Sequence, residues 1–205
     1  MYHIFTIGHS NHQLEVFLSV LQKYNINCIV DVRSIPASSH TPQFNKEQLS
    51  AFLKKHSIYY LHFGREFGAR RFDCLNKNGQ VDFELATQTE SFKEGCVRLY
   101  NGLNKGLTIS LMCSESDPLE CHRFAMISRY LFEHKVGVSH ILKDSSIISH
   151  ELLQNKMIES YIKKKKIPEI DSMFNLYTEK DQIRDAYKLK NIELGYKVEL
   201  MKQEL

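Results

Sequence analysis

Short apolar runs alternate with stretches of helical periodicity along most of this chain, and that alternation restricts the fold more than any other feature. The apolar runs predict strands at about 3–8, 27–32, 58–63, 107–112 and 137–142. The stretches between them predict helices at about 12–24, 46–56, 83–103 and 121–134. Strands that alternate with helices form mostly parallel sheets covered on both faces. We therefore predict an α/β fold with a mostly parallel sheet of about five strands.

The character of the sequence changes near residue 150. A helical stretch over 150–162 is followed by four lysines at 163–166, and then by a tail rich in tyrosine and charge. We predict an α/β domain over residues 1–150 and a helical C-terminal extension over 151–205. The extension either packs on the domain, contributes to a homodimer interface or moves freely.

Composition narrows the setting in which this chain works. Five cysteines among 205 residues are an odd number, unlike a secreted disulfide framework, and they favour a reducing cytoplasm. We expect no membrane partner, because no apolar run approaches 18 residues and the first residues lack a signal-peptide pattern. A net charge of +3 gives only weak support for nucleic acid as a partner.

Chemically capable side chains follow three of the predicted strands. His9 and Ser10 follow the first strand, and Asp31 and Arg33 lie at the end of the second. The strand at 107–112 runs into the segment Cys113–Arg123, which contains a thiol, a carboxylate, an imidazole and a guanidinium. Ligands of open α/β sheets bind at the carboxyl ends of the strands, so we predict that these side chains face one cleft.

Taken together, these motifs resemble the bacterial and archaeal family catalogued as domain of unknown function 488. The matching segments are Thr6–Asn11, Asp31–Ser38, Phe67–Phe72, Leu111–Glu115, Cys121–Arg123 and Val138–Ile141. One departure is Phe67-Gly68-Ala69, where family members often have Leu-Gly-Gly. The resemblance implies an α/β domain with a polar cleft and supplies no reaction.

Cys113 is the predicted nucleophile or redox thiol of an enzyme. A reactive thiolate needs a lowered pKa, which His122, Arg123 or a helix N-terminus can provide. His9 or His122 would transfer protons, and Glu115 and Asp31 would orient them. The alternative is a buried and inert cysteine at the end of a core strand.

The predicted substrate is small and anionic or nucleotide-like. Candidate binding residues are Ser10, Arg33, Arg70, Arg71, Cys121 and Arg123. Arginine binds phosphate and carboxylate in a bidentate manner, and the loop 64–72 combines arginines with phenylalanines that can stack on a base. Alternatively, Arg123 pairs with Asp31 or Glu115 and only holds the loop, and Asp31 and Arg33 form a structural ion pair.

Two other functions stay open. A metal-dependent hydrolase would use Cys113, Cys121, His122 and His9 as ligands, although their spacing is not that of a standard zinc motif. A non-catalytic binding module for nucleotide or nucleic acid would depend chiefly on Arg70 and Arg71. The sequence identifies no cofactor.

Overall fold

A single six-stranded sheet forms the centre of the fold in the computed structural model, which describes residues 2–170 and 177–198. Its strands are β1 (His3–Gly8), β2 (Cys28–Asp31), β3 (Tyr59–His62), β4 (Ile109–Cys113), β5 (Gly137–Ile141) and β6 (Ile147–Ser149). Their order is β3-β2-β4-β1-β5-β6, and all neighbours are parallel except β5 and β6. The predicted α/β class is confirmed. The added strand, β6, is a three-residue segment that sequence periodicity does not distinguish from a loop.

Alternating side chains of the strands divide the core into two hydrophobic layers. One layer lies under α1 (Leu14–Lys23) and α2 (Lys46–Lys55) and contains Ile7, Ile29 and Met112. The other layer contains Ile4, Val30 and Leu111 and lies under helices that come later in the chain. These are α5 (Glu90–Asn104), α6 (Arg129–Glu133), α7 (His150–Lys163) and α8 (Glu179–Leu194). The connection after β1 therefore leaves over one face of the sheet, and the connection after β4 leaves over the other. Because β1 and β4 are neighbours, their carboxyl ends form a topological switch point.

Two of the predicted helices are interrupted. The predicted helix over 83–103 is divided into α4 (Phe83–Gln88) and α5, because Thr89 is extended and caps the second helix through its hydroxyl. The predicted helix over 121–134 begins as a π-helix, Arg123–Ser128, before α6. The predicted loop 64–72 contains one helical turn, α3 (Gly64–Phe67). Local periodicity marks these regions as helical, but side-chain caps and packing decide where each helix breaks.

The described part of the C-terminal extension packs on the sheet. Met157 of α7 and Tyr187 of α8 are buried in the same hydrophobic layer as β4. The Gln80 side-chain amide also donates hydrogen bonds to the backbone carbonyls of Ile192 and Gly195. The division of the chain at residue 150 stays a prediction. None of the helices over the described residues has both the length and the apolar character needed to cross a membrane.

Candidate functional site

The carboxyl ends of β1 and β4 are joined by backbone contacts beyond the strands themselves. The backbone N–H groups of His9 and Ser10 donate to the carbonyls of Cys113 and Ser114, each at 2.9 Å. A Cβ atom on Gly8 would lie 1.8 Å from the Glu115 carbonyl oxygen, so this close approach requires glycine. The segment after Cys113 is consequently held directly over the end of β1.

Three side chains converge at this edge and form what we call the thiol–imidazole cluster: Cys113, Cys121 and His122. The Nδ1 atom of His122 lies 3.9 Å from the Cys113 sulfur and 3.7 Å from the Cys121 sulfur. The Nε2 atom of His122 lies 3.2 Å from the backbone carbonyl of Val32. A carbonyl can only accept, so Nε2 carries a hydrogen, and in the neutral imidazole the lone pair on Nδ1 faces the two sulfurs. All three residues are buried.

Arg123 anchors the segment that leads into the cluster. Its guanidinium donates to the backbone carbonyls of Glu115 at 2.7 Å and Ser116 at 3.1 Å, and the side chain is fully buried. Its Nε has no hydrogen-bond partner among the described residues. The sequence alternatives were an anion clamp or a pair with Asp31 or Glu115. Both hydrogen bonds of its guanidinium are to main-chain carbonyls, and the anion-binding role of Arg123 stays a prediction.

Glu115 connects the cluster to the surface. The residue is exposed, yet its Oε2 accepts a hydrogen bond from the Cys121 sulfur at 3.0 Å. Cys121 also accepts a hydrogen bond from the backbone N–H of Arg123 at 3.5 Å. The carboxylate of an exposed residue thus lies in direct contact with a buried thiol.

The surroundings of the two thiols shift their pKa values in opposite directions. A hydrogen bond to Cys121 and burial raise the pKa of Cys113 well above its ordinary value. Burial also raises the pKa of Cys121, but the Cys113 hydrogen bond and the charges of Arg123 and His122 outweigh it and hold that pKa low. These influences favour thiolate at Cys121 over Cys113, the residue chosen from sequence. The catalytic role of Cys113 stays a prediction.

The acid and the base beside the thiols are shifted as well. Burial opposes the charged form of His122, yet the charge and hydrogen bond of Cys121 raise the pKa of His122 above its ordinary value. Burial and the charge of Cys121 raise the pKa of Glu115. A carboxyl group and an imidazole with raised pKa values, both in contact with Cys121, are suited to hold and transfer protons.

Asp31, Arg33 and His9 form a second buried network beside the cluster. Both oxygens of the Asp31 carboxylate accept from the Arg33 guanidinium, at 2.9 and 2.5 Å. The same guanidinium contacts His9 Nε2 at 3.1 Å and the Phe44 carbonyl at 2.8 Å. Tyr60 donates to Asp31 at 2.6 Å. The guanidinium of Arg33 is therefore engaged within the protein, as in the structural ion-pair alternative.

His9 is placed for a neutral role in that network. Burial, followed by the charge of Arg33, lowers the pKa of His9 to about 4. Its ring stacks on Phe44 with centroids 4.3 Å apart, and its Nδ1 bonds the Ser10 carbonyl. His9 faces Arg33 and does not join the thiol–imidazole cluster, although its backbone lies beside Cys113.

The candidate binding residues are separated by the fold. Ser10 lies at the switch point with a positive φ of 47°. Arg70 is exposed, its backbone N–H bonds the Ser34 hydroxyl, and its guanidinium stacks over Tyr196. Arg71 is buried and bonds Asp73, Thr89 and Ser91, so its guanidinium holds the loop to α5. Only Arg70 of this pair presents its charge to solvent.

Sequence reasoning missed Tyr60 and the Val32 carbonyl. Tyr60 lies in the edge strand β3 and reaches Asp31 because that strand pairs with β2. A backbone carbonyl carries no sequence signal, and Val32 reads only as a core residue. Both contacts depend on which strands are neighbours in the sheet.

These observations define an α/β protein with a buried thiol–imidazole cluster at the switch point of its sheet. A family model described as a domain of unknown function, DUF488, matches residues 13–131. The match spans more than half of the 205 residues, so the chain belongs to this family, and the resemblance inferred from its motifs is confirmed. His9 and Ser10 precede the matched residues. Neither the comparison with curated proteins nor that with solved structures gives a match.

Proposed function

We propose that this protein is an enzyme whose Cys/His/Glu/Arg cluster acts on a small anionic or nucleotide-like substrate. The observation that carries the proposal is the contact between the carboxylate of Glu115, an exposed residue, and the buried Cys121 thiol. An accessible proton-transfer group in contact with a preorganised thiol and imidazole is the arrangement that general acid–base catalysis requires.

Glu115 is the residue of the cluster that meets a substrate first. Its backbone is fixed by Arg123 and by the close approach to Gly8, so the carboxylate projects from a rigid support. Rigid placement reduces the loss of entropy when a substrate is brought to the catalytic group. We assign proton transfer to Glu115 and a hydrolytic or group-transfer reaction to the site.

Exposed residues on the neighbouring surface support a nucleotide-like substrate. Arg70 is exposed and follows the helical turn α3. Gly68, directly after that turn, packs against Ser34 in the loop after β2. Phe72 on the same loop is 62% exposed and makes an edge contact with Tyr196. An exposed guanidinium that stacks over Tyr196, beside the exposed ring of Phe72, suits a phosphate attached to a base. The non-catalytic binding module is less well supported, because the guanidinium of Arg71 is engaged within the protein.

The test compares Glu115→Gln with the matched variant Glu120→Gln. Both residues are exposed and lie in the segment between β4 and the π-helix, but Glu115 is the one that contacts Cys121. We would measure kcat/KM on a panel of phosphate monoesters, phosphodiesters, nucleosides and carboxyl esters. Removal of a general acid–base group lowers kcat/KM by about 100-fold to 10,000-fold, and Glu120→Gln should retain full activity.

Equal turnover by Glu115→Gln and the unaltered protein would refute the assignment to Glu115. Failure to turn over any member of the panel, by protein shown to be folded, would count against an enzyme of this substrate class.

A further inference from the structure

We infer that the thiol–imidazole cluster is a metal site of the zinc class, with Cys113, Cys121 and His122 as its ligands. The three donor atoms all lie within 4.8 Å of one another and are buried. The inference deepens the proposed function by naming the cofactor of the same site, but metal binding can be measured without any knowledge of the substrate.

The two nitrogen–sulfur separations fit one tetrahedral ion. Zinc bonds to sulfur at about 2.3 Å and to nitrogen at about 2.0 to 2.1 Å, so sulfur and nitrogen ligands of one zinc lie about 3.6 Å apart. The Nδ1 atom of His122 lies 3.9 Å from the Cys113 sulfur and 3.7 Å from the Cys121 sulfur. A shift of a few tenths of an ångström brings both edges to the ideal length.

The imidazole is already oriented as a ligand. Its Nε2–H faces the Val32 carbonyl, so the free lone pair is on Nδ1, the atom that points to both sulfurs. Histidine ligands of metals almost always donate their other N–H to a carbonyl or carboxylate in this way.

The surroundings compensate the charge of two thiolates. The backbone N–H of Arg123 points to the Cys121 sulfur. The Arg123 guanidinium, which donates to the Glu115 carbonyl, adds a buried positive charge to the site. Two thiolates and one imidazole select a borderline-soft ion with tetrahedral preference, and hard cations such as magnesium and calcium prefer oxygen ligands.

Three protein ligands would leave one coordination position of a tetrahedral ion for water or substrate. The Glu115 carboxylate contacts the Cys121 sulfur but lies outside the set of three mutually close donors. Catalytic zinc sites combine three protein ligands with an open position, and zinc-dependent nucleobase deaminases pair such a site with a glutamate that is not a ligand. We therefore assign Glu115 to the acid–base role beside the three ligands.

The experiment measures metal on the full-length chain. We would determine zinc content by mass spectrometry and titrate metal-free protein with Co²⁺. We expect about one zinc per chain and the thiolate-to-cobalt charge-transfer absorption of a tetrahedral site. Cys121→Ser and His122→Ala should weaken Co²⁺ affinity by at least about 100-fold. The buried Cys96, on α5, supplies the matched control Cys96→Ser, which should bind Co²⁺ normally.

Glu115→Gln keeps the inference falsifiable if a ligand variant fails to fold, because this exposed residue should be replaceable without loss of Co²⁺ affinity. Absence of the charge-transfer absorption in folded, metal-free protein after Co²⁺ addition would overturn the inference. So would unchanged Co²⁺ affinity in folded Cys121→Ser. Turnover by zinc-free protein would overturn the metal inference alone, whereas stoichiometric zinc without any turnover would overturn the enzyme proposal alone.

Discussion

At the scale of single residues, the site depends on contacts that leave no room for substitution. Gly8 allows the Glu115 carbonyl to approach the backbone of β1. The Arg123 guanidinium donates a hydrogen bond to the same carbonyl. The ring of His122 is oriented by its hydrogen bond to the backbone carbonyl of Val32, the residue after β2. The chemistry of Cys113, Cys121 and Glu115 follows from these positions, because no single side chain of the cluster could be placed by its local sequence alone.

Gly8→Ala tests the first of these contacts. The added Cβ would lie 1.8 Å from the Glu115 carbonyl oxygen, and backbone atoms cannot move aside as a flexible side chain can. We expect destabilisation of about 3 kcal/mol, from overpacking, in urea unfolding monitored by circular dichroism. The control is Gly102→Ala, whose Cβ would meet the end of the Ile109 side chain at 3.0 Å. A change in Gly8→Ala no larger than that of the control would contradict this account of the close approach.

At the scale of elements, the fold is decided by where helices begin and break. Thr89 divides α4 from α5, since its hydroxyl accepts from the Phe92 backbone N–H and from the Arg71 guanidinium. The π-helix at 123–128 is the second break, and its first residue, Arg123, donates to the Glu115 carbonyl. Both breaks lie inside stretches with continuous helical periodicity, so the hydrophobic pattern that locates a helix does not locate its ends.

Thr89→Ala should lower the free energy of unfolding by about 1 to 2 kcal/mol, because both the cap and the Arg71 contact are lost. Thr87→Ala is the matched control, since the Thr87 hydroxyl bonds only the Glu84 carbonyl within its own short helix. That variant should differ from the unaltered protein by less than about 0.5 kcal/mol. Guanidinium unfolding curves of the two variants give the comparison, and equal stabilities would argue against Thr89 as the cap of α5.

At the scale of the whole molecule, a buried chain of hydrogen bonds joins the sheet to its C-terminal helices. Thr6 of β1 contacts His140 Nδ1 at 2.8 Å, and His140 Nε2 contacts His150 Nδ1 at 3.1 Å. Tyr187 of α8 contacts His150 Nε2 at 2.9 Å and donates to the Gln154 amide oxygen at 3.0 Å. With the Tyr187 hydrogen directed to Gln154, every contact is satisfied when both histidines are neutral and carry hydrogen on Nε2.

Acid should therefore lower the free energy of unfolding through these two histidines. Burial, followed by the charge of Arg129, lowers the pKa of His150 to about 3, and burial also lowers that of His140. Below pH 6.5 the unfolded chain binds a proton at His150 that the folded protein does not bind, so stability falls as the pH falls. His150 alone should remove about 2 kcal/mol between pH 8 and pH 5.

Urea unfolding across this pH range gives the measurement, with His150→Gln as the comparison because glutamine stays neutral. The variant should lose stability less steeply toward acid than the unaltered protein. Parallel pH profiles for the two proteins would rule out His150 as a source of the acid sensitivity.

The alternation of apolar runs with amphipathic stretches determined the α/β class, the five parallel strands and the identity of the chemically capable strand ends. These properties are local, since hydrophobic periodicity within a few residues selects a strand or a helix. The motifs around Cys113–Arg123 likewise carried the family resemblance. The three-residue β6 and the breaks at Thr89 and in the π-helix were not foreseeable, because they depend on pairing and caps.

Only the tertiary structure decided which of the capable side chains meet. The sheet order inserts β4 between β2 and β1, strands separated from it by about eighty or more residues of chain. That insertion brings Val32 to His122 and Gly8 to the Glu115 carbonyl, whereas His9 contacts Arg33. Neighbour relations between strands come from long-range packing of helices on the two faces, and they are not encoded in any one segment.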